Sequence, residues 1–275
     1  MTRMLSLPAL FLAIGLLASR TGLVLHEIGG HWGPAAAFGC TLGEIRLFVF
    51  GGGWVEFACT HVSLAHSLVI DLGGIALQLV LGAALVLAAR RRPDGALGLA
   101  ALCVGSLWIA HALFYLATGV HYGVGDGRAL HQLLGDRRVG LVAAGSVALV
   151  AVCACFATAL ARRLASRLPD ASRFARAASL AAAILAASAA HGALALGEQR
   201  LRADPIYAAT FTPEREVAIA AEVRRFEQTQ PRSPAEVERA RREITARHAP
   251  PFPLRPWLGA AMALAAVAGI ARGVR

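Results

Sequence analysis

The sequence predicts an all-α polytopic membrane protein with about six transmembrane helices and a short β-hairpin-like segment after the first. Three observations carry that prediction. Hydrophobic residues make up 57% of the 275 and charged residues only 16%, against about 25% charged in soluble domains. The apolar residues gather into runs near the ~20 residues that a helix needs to cross a bilayer. The basic residues, all of them arginine, cluster at the ends of those runs. The formal charge of +10 therefore speaks for orientation in a membrane and against a nucleic-acid partner. Abundant alanine without a single lysine points to a GC-rich bacterial genome, and so to a bacterial inner membrane.

The apolar runs are 5–37, 63–89, 95–118, 139–161, 177–196 and 256–272. The first is too long for one ordinary crossing and contains Arg20, Gly22 and two histidines, so a long or kinked helix is expected. Its opening, MTRMLSLPALFLAIGLLAS, has the build of a signal peptide. No A-x-A site follows and the apolar pattern resumes at once, so it reads as an uncleaved first span. Residues 42–58, LGEIRLFVFGGGWVEFA, alternate and are rich in Val, Phe and Ile around three glycines, which reads as a hairpin. The polar segment 197–255 holds two helix starts, Thr212-Pro213 and the capping box Ser233-Pro234-Ala235-Glu236. Its mixed Glu and Arg faces look solvated.

These runs divide the chain into a core at 1–196 with five spans and the hairpin, a polar helical segment at 197–255, and a last span with its tail at 256–275. Arg90–Arg92 follow the second span, and Arg162, Arg163, Arg167, Arg173 and Arg176 lie between the fourth and fifth. Placing both clusters in the cytoplasm puts 119–138 and 197–255 outside and both termini inside. Arg128, Arg137 and Arg138 in the third connection run against this bias. Of the five cysteines, Cys103, Cys153 and Cys155 lie in apolar runs and read as small buried hydrophobes. Cys40 and Cys59 flank one short segment and could pair, but no C-x-x-C metal spacing appears, and the balance is against cysteine chemistry.

Chemistry concentrates in VLHEIGGHWG, residues 24–33. His26 and His31 are five apart, which on a regular helix separates them by ~140°. A π-bulge inserts one residue into a turn and occurs frequently at functional sites, and Gly29-Gly30 makes such a distortion easy. A carboxylate such as Glu27 costs ~2.5–3.5 kcal/mol in a membrane on insertion scales, so a polar purpose is expected. His26-Glu27-Ile28-Gly29-Gly30-His31 resembles the H-E-x-x-G-H zinc motif of the dipeptidyl peptidase III family. The wider order of features is similar to the site-2 protease family of intramembrane zinc metalloproteases. His26-Glu27 and His31 lie on the first helix, the hairpin-like 42–58 follows, and Gly125-Asp126-Gly127 comes after the third span. The resemblance covers residues 20 to 135, without the family's proline-rich approach to its Asp-Gly. It implies zinc held by His26, His31 and Asp126, with Glu27 as the catalytic base that takes a proton from water and passes it to the leaving amine.

Asp71, alone in LVIDLGGIALQL with Gln78 two turns on, is the rival third ligand. Its other reading is a helix-packing residue beside glycines that permit close approach. His66, His111 and His121 read first as packing residues or as partners behind the ligands. Tyr115 and Tyr122 are candidate donors to an oxyanion. The implied function is hydrolysis of peptide bonds in or near membrane-spanning substrates, with the hairpin offering an edge strand to an unwound substrate. Two alternatives stand beside it. A catalytically inactive membrane scaffold or regulator of the same fold would lack metal. A haem or metal-binding protein using His26, His66, His111 and His121 would show an absorbance spectrum.

Overall fold

Six segments become helices long and apolar enough to span a membrane, at 7–37, 64–91, 96–122, 127–165, 173–202 and 254–273. The protein is described here from a computed structural model that covers residues 2–92, 95–165, 172–229 and 233–274. The first segment is built from α1 (Thr2–Val24), a π-helical stretch (Leu25–Trp32) and α2 (Gly33–Ala37). A hairpin of β1 (Thr41–Leu47) and β2 (Gly53–Ala58) follows, then α3 (Leu64–Arg91) and α4 (Ala96–Tyr122). A short α5 (Gly127–Leu134) and a 3₁₀ turn lead into α6 (Arg138–Ala165), and α7 (Arg173–Arg202) comes next. The polar segment forms α8 (Pro205–Thr210), α9 (Glu214–Thr229) and α10 (Pro234–Arg247) before α11 (Leu254–Gly273). The capping box at Ser233 and Glu236 is formed, and Pro213 stands immediately before α9. The fifth span runs six residues beyond 196, to Arg202, because its polar end Gly197–Arg202 continues the helix above the apolar stretch.

Small residues set the helix spacing, as expected where lipid offers no hydrophobic drive for helix association. Gly82 of α3 and Gly105 of α4 face each other, and a Cβ at Gly105 would lie 2.6 Å from the Gly82 carbonyl oxygen. Gly269 and Gly273 of α11 lie against the α6 backbone at Ala154 and Thr158. Leu99, Leu160, Leu164, Leu180 and Ile270 close a core where α4, α6, α7 and α11 meet. Large apolar side chains such as Leu97, Val147, Leu185 and Leu264 point outward and are more than half exposed, which suits a lipid-facing surface. The start of α4 and the ends of α6 and α11 share that core. The hairpin, the α4–α5 turn and the segment from α8 to α10 therefore lie at the opposite end, away from Arg90–Arg92, Arg162 and Arg163.

The hairpin pairs antiparallel, Thr41 with Ala58 and Leu47 with Gly53, with a register shift between Leu42 and Ile45. Its base is closed by a disulfide between Cys40 and Cys59, which corrects the expectation of inert cysteines. The two cysteines are brought together by the strand pairing itself, a relation that spacing along the chain does not reveal. Cys103, Cys153 and Cys155 are free. With its partners 19 positions apart in the sequence, removing the bridge by Cys40→Ser with Cys59→Ser should cost about 3 kcal/mol by the loop-entropy relation. Thermal melts of the double variant should fall to those of the wild type under reductant, and an unchanged melting point would refute the estimate.

Asp204 ties the polar segment to the hairpin. Its carboxylate accepts from the Ile206 and Tyr207 amides at the start of α8, from Trp54 Nε1 and from Arg46 Nη1. The Tyr207 amide, with Trp54 and Arg46, holds this carboxyl below its ordinary range. Its contribution to stability is therefore complete above the usual aspartate value of about 3.9 and is lost as the pH falls from there through the lower value of the folded chain.

Candidate metal centre

The distortion expected between His26 and His31 is present as an eight-residue π-helix, Leu25–Trp32, and the Gly33 amide donates to the Ile28 carbonyl five residues back. Winding the backbone this way turns residues five apart toward one side. The His26 and His31 rings come to 4.8 Å between centroids, edge to face. Both are buried, and so is Glu27 between them.

Glycines allow the packing that buries this stretch. Gly30 lies against the backbone of Gly73 and Gly74 in α3, leaving no room for a Cβ on either side. A Cβ at Gly74 would also sit 2.6 Å from three atoms of the His26 ring. The π-helix thus rests directly on α3, whose Ile70 carbonyl accepts from His31 Nδ1 at 2.6 Å. A carbonyl oxygen only accepts, so Nδ1 carries the proton and His31 Nε2 is turned toward the site. A backbone carbonyl behind a ligating histidine fixes its tautomer and orientation in metal sites generally.

Asp126 arrives from the turn between α4 and α5. Gly125 adopts φ +50° and lies under the Tyr115 hydroxyl, where a side chain would collide. Its amide donates to Thr210 at the end of α8. Gly127 starts α5 hard against the backbone at Gly119. Asp126 Oδ2 then lies 2.9 Å from His26 Nε2 and 3.2 Å from His31 Nε2. Burial opposes ionisation of this carboxyl, but the two imidazoles facing it outweigh that and hold the group well below the usual carboxylate range.

The ligand atoms of His26, His31 and Asp126 all lie within 4.8 Å of one another. Two imidazole nitrogens and one carboxylate oxygen form a donor set whose chemistry suits zinc. His26 Nδ1 is buried without a hydrogen-bond partner, so among the described residues that ring makes its one polar contact through the nitrogen facing the cluster. Asp71, the rival ligand, is not part of the converging group. His66 stacks on Phe38 at 4.1 Å, and His121 bonds the Phe252 carbonyl at 2.8 Å. The four histidines of the haem reading therefore do not gather. Tyr122 lies beside the same Phe252 carbonyl, whereas Tyr115 sits 5.7 Å from the His26 ring.

Glu27 lines a cavity of about 710 Å³, together with Gln78, His111, Tyr115, Tyr207 and Phe211. Its roof is the hairpin tip, held from two sides. Arg20 of α1 donates to the carbonyls of Phe48, Phe50 and Gly51 at 2.5, 3.1 and 2.6 Å. Glu198 of α7 accepts from the amides of Val49, Phe50 and Gly51 at 2.7, 2.5 and 3.0 Å. The sequence did not show the two clamp residues as a pair. Arg20 was visible as a charge inside an apolar run, but Glu198 sits among solvated charges and carries no local signal. No family model, curated protein or solved structure matches the chain.

Proposed function

We propose that this chain is an intramembrane zinc metallopeptidase that hydrolyses peptide bonds in or near membrane-spanning substrates of a bacterial inner membrane. The observation that carries the reading is the convergence of His26, His31 and Asp126 beside a cavity lined by the buried Glu27. His26 and His31 would hold zinc through Nε2, and Asp126 through Oδ2. The ion supplies Lewis-acid activation of water and of the scissile carbonyl. Glu27 accepts the proton of the attacking water as the new C–O bond forms, and delivers it to the amine nitrogen as the C–N bond breaks. The cavity wall is largely apolar, which suits a substrate entering from lipid, and each hairpin strand keeps one unpaired edge for an extended chain. Tyr207 and Phe211 make the polar segment part of the substrate-facing wall.

Purified protein should carry about one zinc per chain and cleave fluorescein-labelled casein in detergent micelles, with cleavage stopped by 1,10-phenanthroline. Protein without metal and without turnover would leave an inactive scaffold of the same fold as the better reading.

Orientation rests on two independent features. The arginine clusters at 90–92 and 162–163 lie at the end of the bundle opposite the site, which supports a cytoplasmic reading of that end. The Cys40–Cys59 disulfide lies at the site end, and such bonds persist on the oxidising side of a membrane. Protease added to intact spheroplasts should therefore cut between residues 203 and 253. Protection there, with cleavage between α6 and α7, would invert the topology.

A further inference from the structure

Behind the cavity, three residues on three helices form a relay that ends at His111. The Gly22 carbonyl of α1 can only accept a hydrogen bond, and Gln78 Nε2 donates to it at 3.0 Å. That contact fixes the orientation of the Gln78 amide and turns Oε1 toward His111, 3.2 Å from its Nδ1. An amide oxygen also only accepts, so His111 Nδ1 carries the proton and Nε2 presents a lone pair. Gln78 is buried at 2% exposure, and a Cβ at Gly22 would lie 3.2 Å from its Nε2. The relay is therefore tightly packed at its origin. His111 itself is exposed on the cavity wall. Its ring stacks near Tyr115 and lies 6.4 Å from the His26 ring, and it is outside the converging ligand group.

We propose that His111 Nε2 is the hydrogen-bond acceptor for a backbone N–H of the substrate next to the scissile bond, its tautomer set by Gln78 and the Gly22 carbonyl. An extended peptide drawn into a mainly apolar cavity must find partners for its amides, since an unmet buried N–H costs about 1–3 kcal/mol. Among the cavity residues, a lone pair oriented by a buried relay answers that need without an ionic group. The proposal rests on the peptidase reading for the identity of the ligand, but its test does not rest on turnover.

The probe is an internally quenched apolar decapeptide in detergent micelles, with depsipeptide analogues that each replace one backbone N–H by an ester oxygen. Binding is read as Kd on Glu27→Gln protein, which keeps the relay and does not consume the probe. One analogue should bind about tenfold more weakly than the parent, the scale of one hydrogen bond. His111→Phe in the same background should weaken the parent by a similar factor and leave that one analogue with no further loss. His111→Gln, which restores an acceptor, should recover part of the affinity. Nitrogen-15 shifts of His111 should report the Nδ1–H tautomer, and Gln78→Met should release it. Penalties that add for every analogue, unchanged binding by His111→Phe, an Nε2–H tautomer, or no binding of the parent at all would each overturn the proposal. Absence of turnover by the wild type alongside the expected Kd pattern would instead overturn the peptidase reading.

Discussion

Asp126→Ala should empty the site of metal, while Glu27→Gln should leave the metal bound and abolish hydrolysis. The first change removes the only carboxylate among the described residues that meets both His26 Nε2 and His31 Nε2. Partners one step behind a metal ligand already cost 10–100-fold in affinity, so a direct ligand should cost at least ~100-fold. The second change swaps an acceptor of protons for an amide of the same shape and touches none of the three ligands. Losing a positioned base typically lowers the rate by about 10²–10⁴. Zinc analysis and casein cleavage on the two variants separate these effects. Metal retained by Asp126→Ala would remove this residue from the site. Asp71→Ala is the informative companion, because Asp71 stands outside the cluster and its loss should leave the metal in place.

Gly30→Ala and Gly74→Ala should be the most damaging changes outside the ligands. The added methyl of the first meets the α3 backbone, which cannot yield as a flexible side chain can. That of the second would lie 2.6 Å from the His26 ring and push it off its line to Asp126. Overpacking costs typically about 1–3 kcal/mol, and here it should also release metal. Gly192→Ala and Gly197→Ala in α7 are the controls, with nothing within 4 Å of either new methyl. They should raise stability by roughly 0.5–1 kcal/mol, the usual gain from replacing a helical glycine. Melting temperatures with and without added zinc read both effects. Equal behaviour of the two pairs would show that the helix contact does not hold the site.

The parts that were legible in the sequence share one property, that their signal is local. The spans follow from runs of apolar residues, and the hairpin from alternation around Gly51–Gly53. The helix distortion follows from one extra residue between His26 and His31. The α4–α5 turn was visible as Gly125-Asp126-Gly127, but the spacing could not choose between Asp126 and Asp71. That choice depends on α4 ending beside the π-helix, while Asp71 lies one residue past the carbonyl that holds His31. The relay from Gly22 through Gln78 to His111 and the Arg20–Glu198 clamp join helices far apart in sequence. Each member looks ordinary in its own window. The Cys40–Cys59 pairing stayed an open alternative for the same reason, since it is pairing in the hairpin that brings the two together.

The clamp on the hairpin tip also sets an order of events in biogenesis. Arg20 is made with the first helix, yet Glu198, which lies 149 residues beyond Val49, reaches the tip only once α7 is made. At about 5–20 residues per second, synthesis from residue 20 to residue 198 takes roughly ten to forty seconds. Throughout that interval the tip amides lack their carboxylate and the guanidinium lacks its counter-charge. A nascent chain stopped before Glu198 therefore carries a turn capped from one side only. The roof of the cavity is therefore held from one side by Arg20 until the fifth helix brings Glu198 to the other.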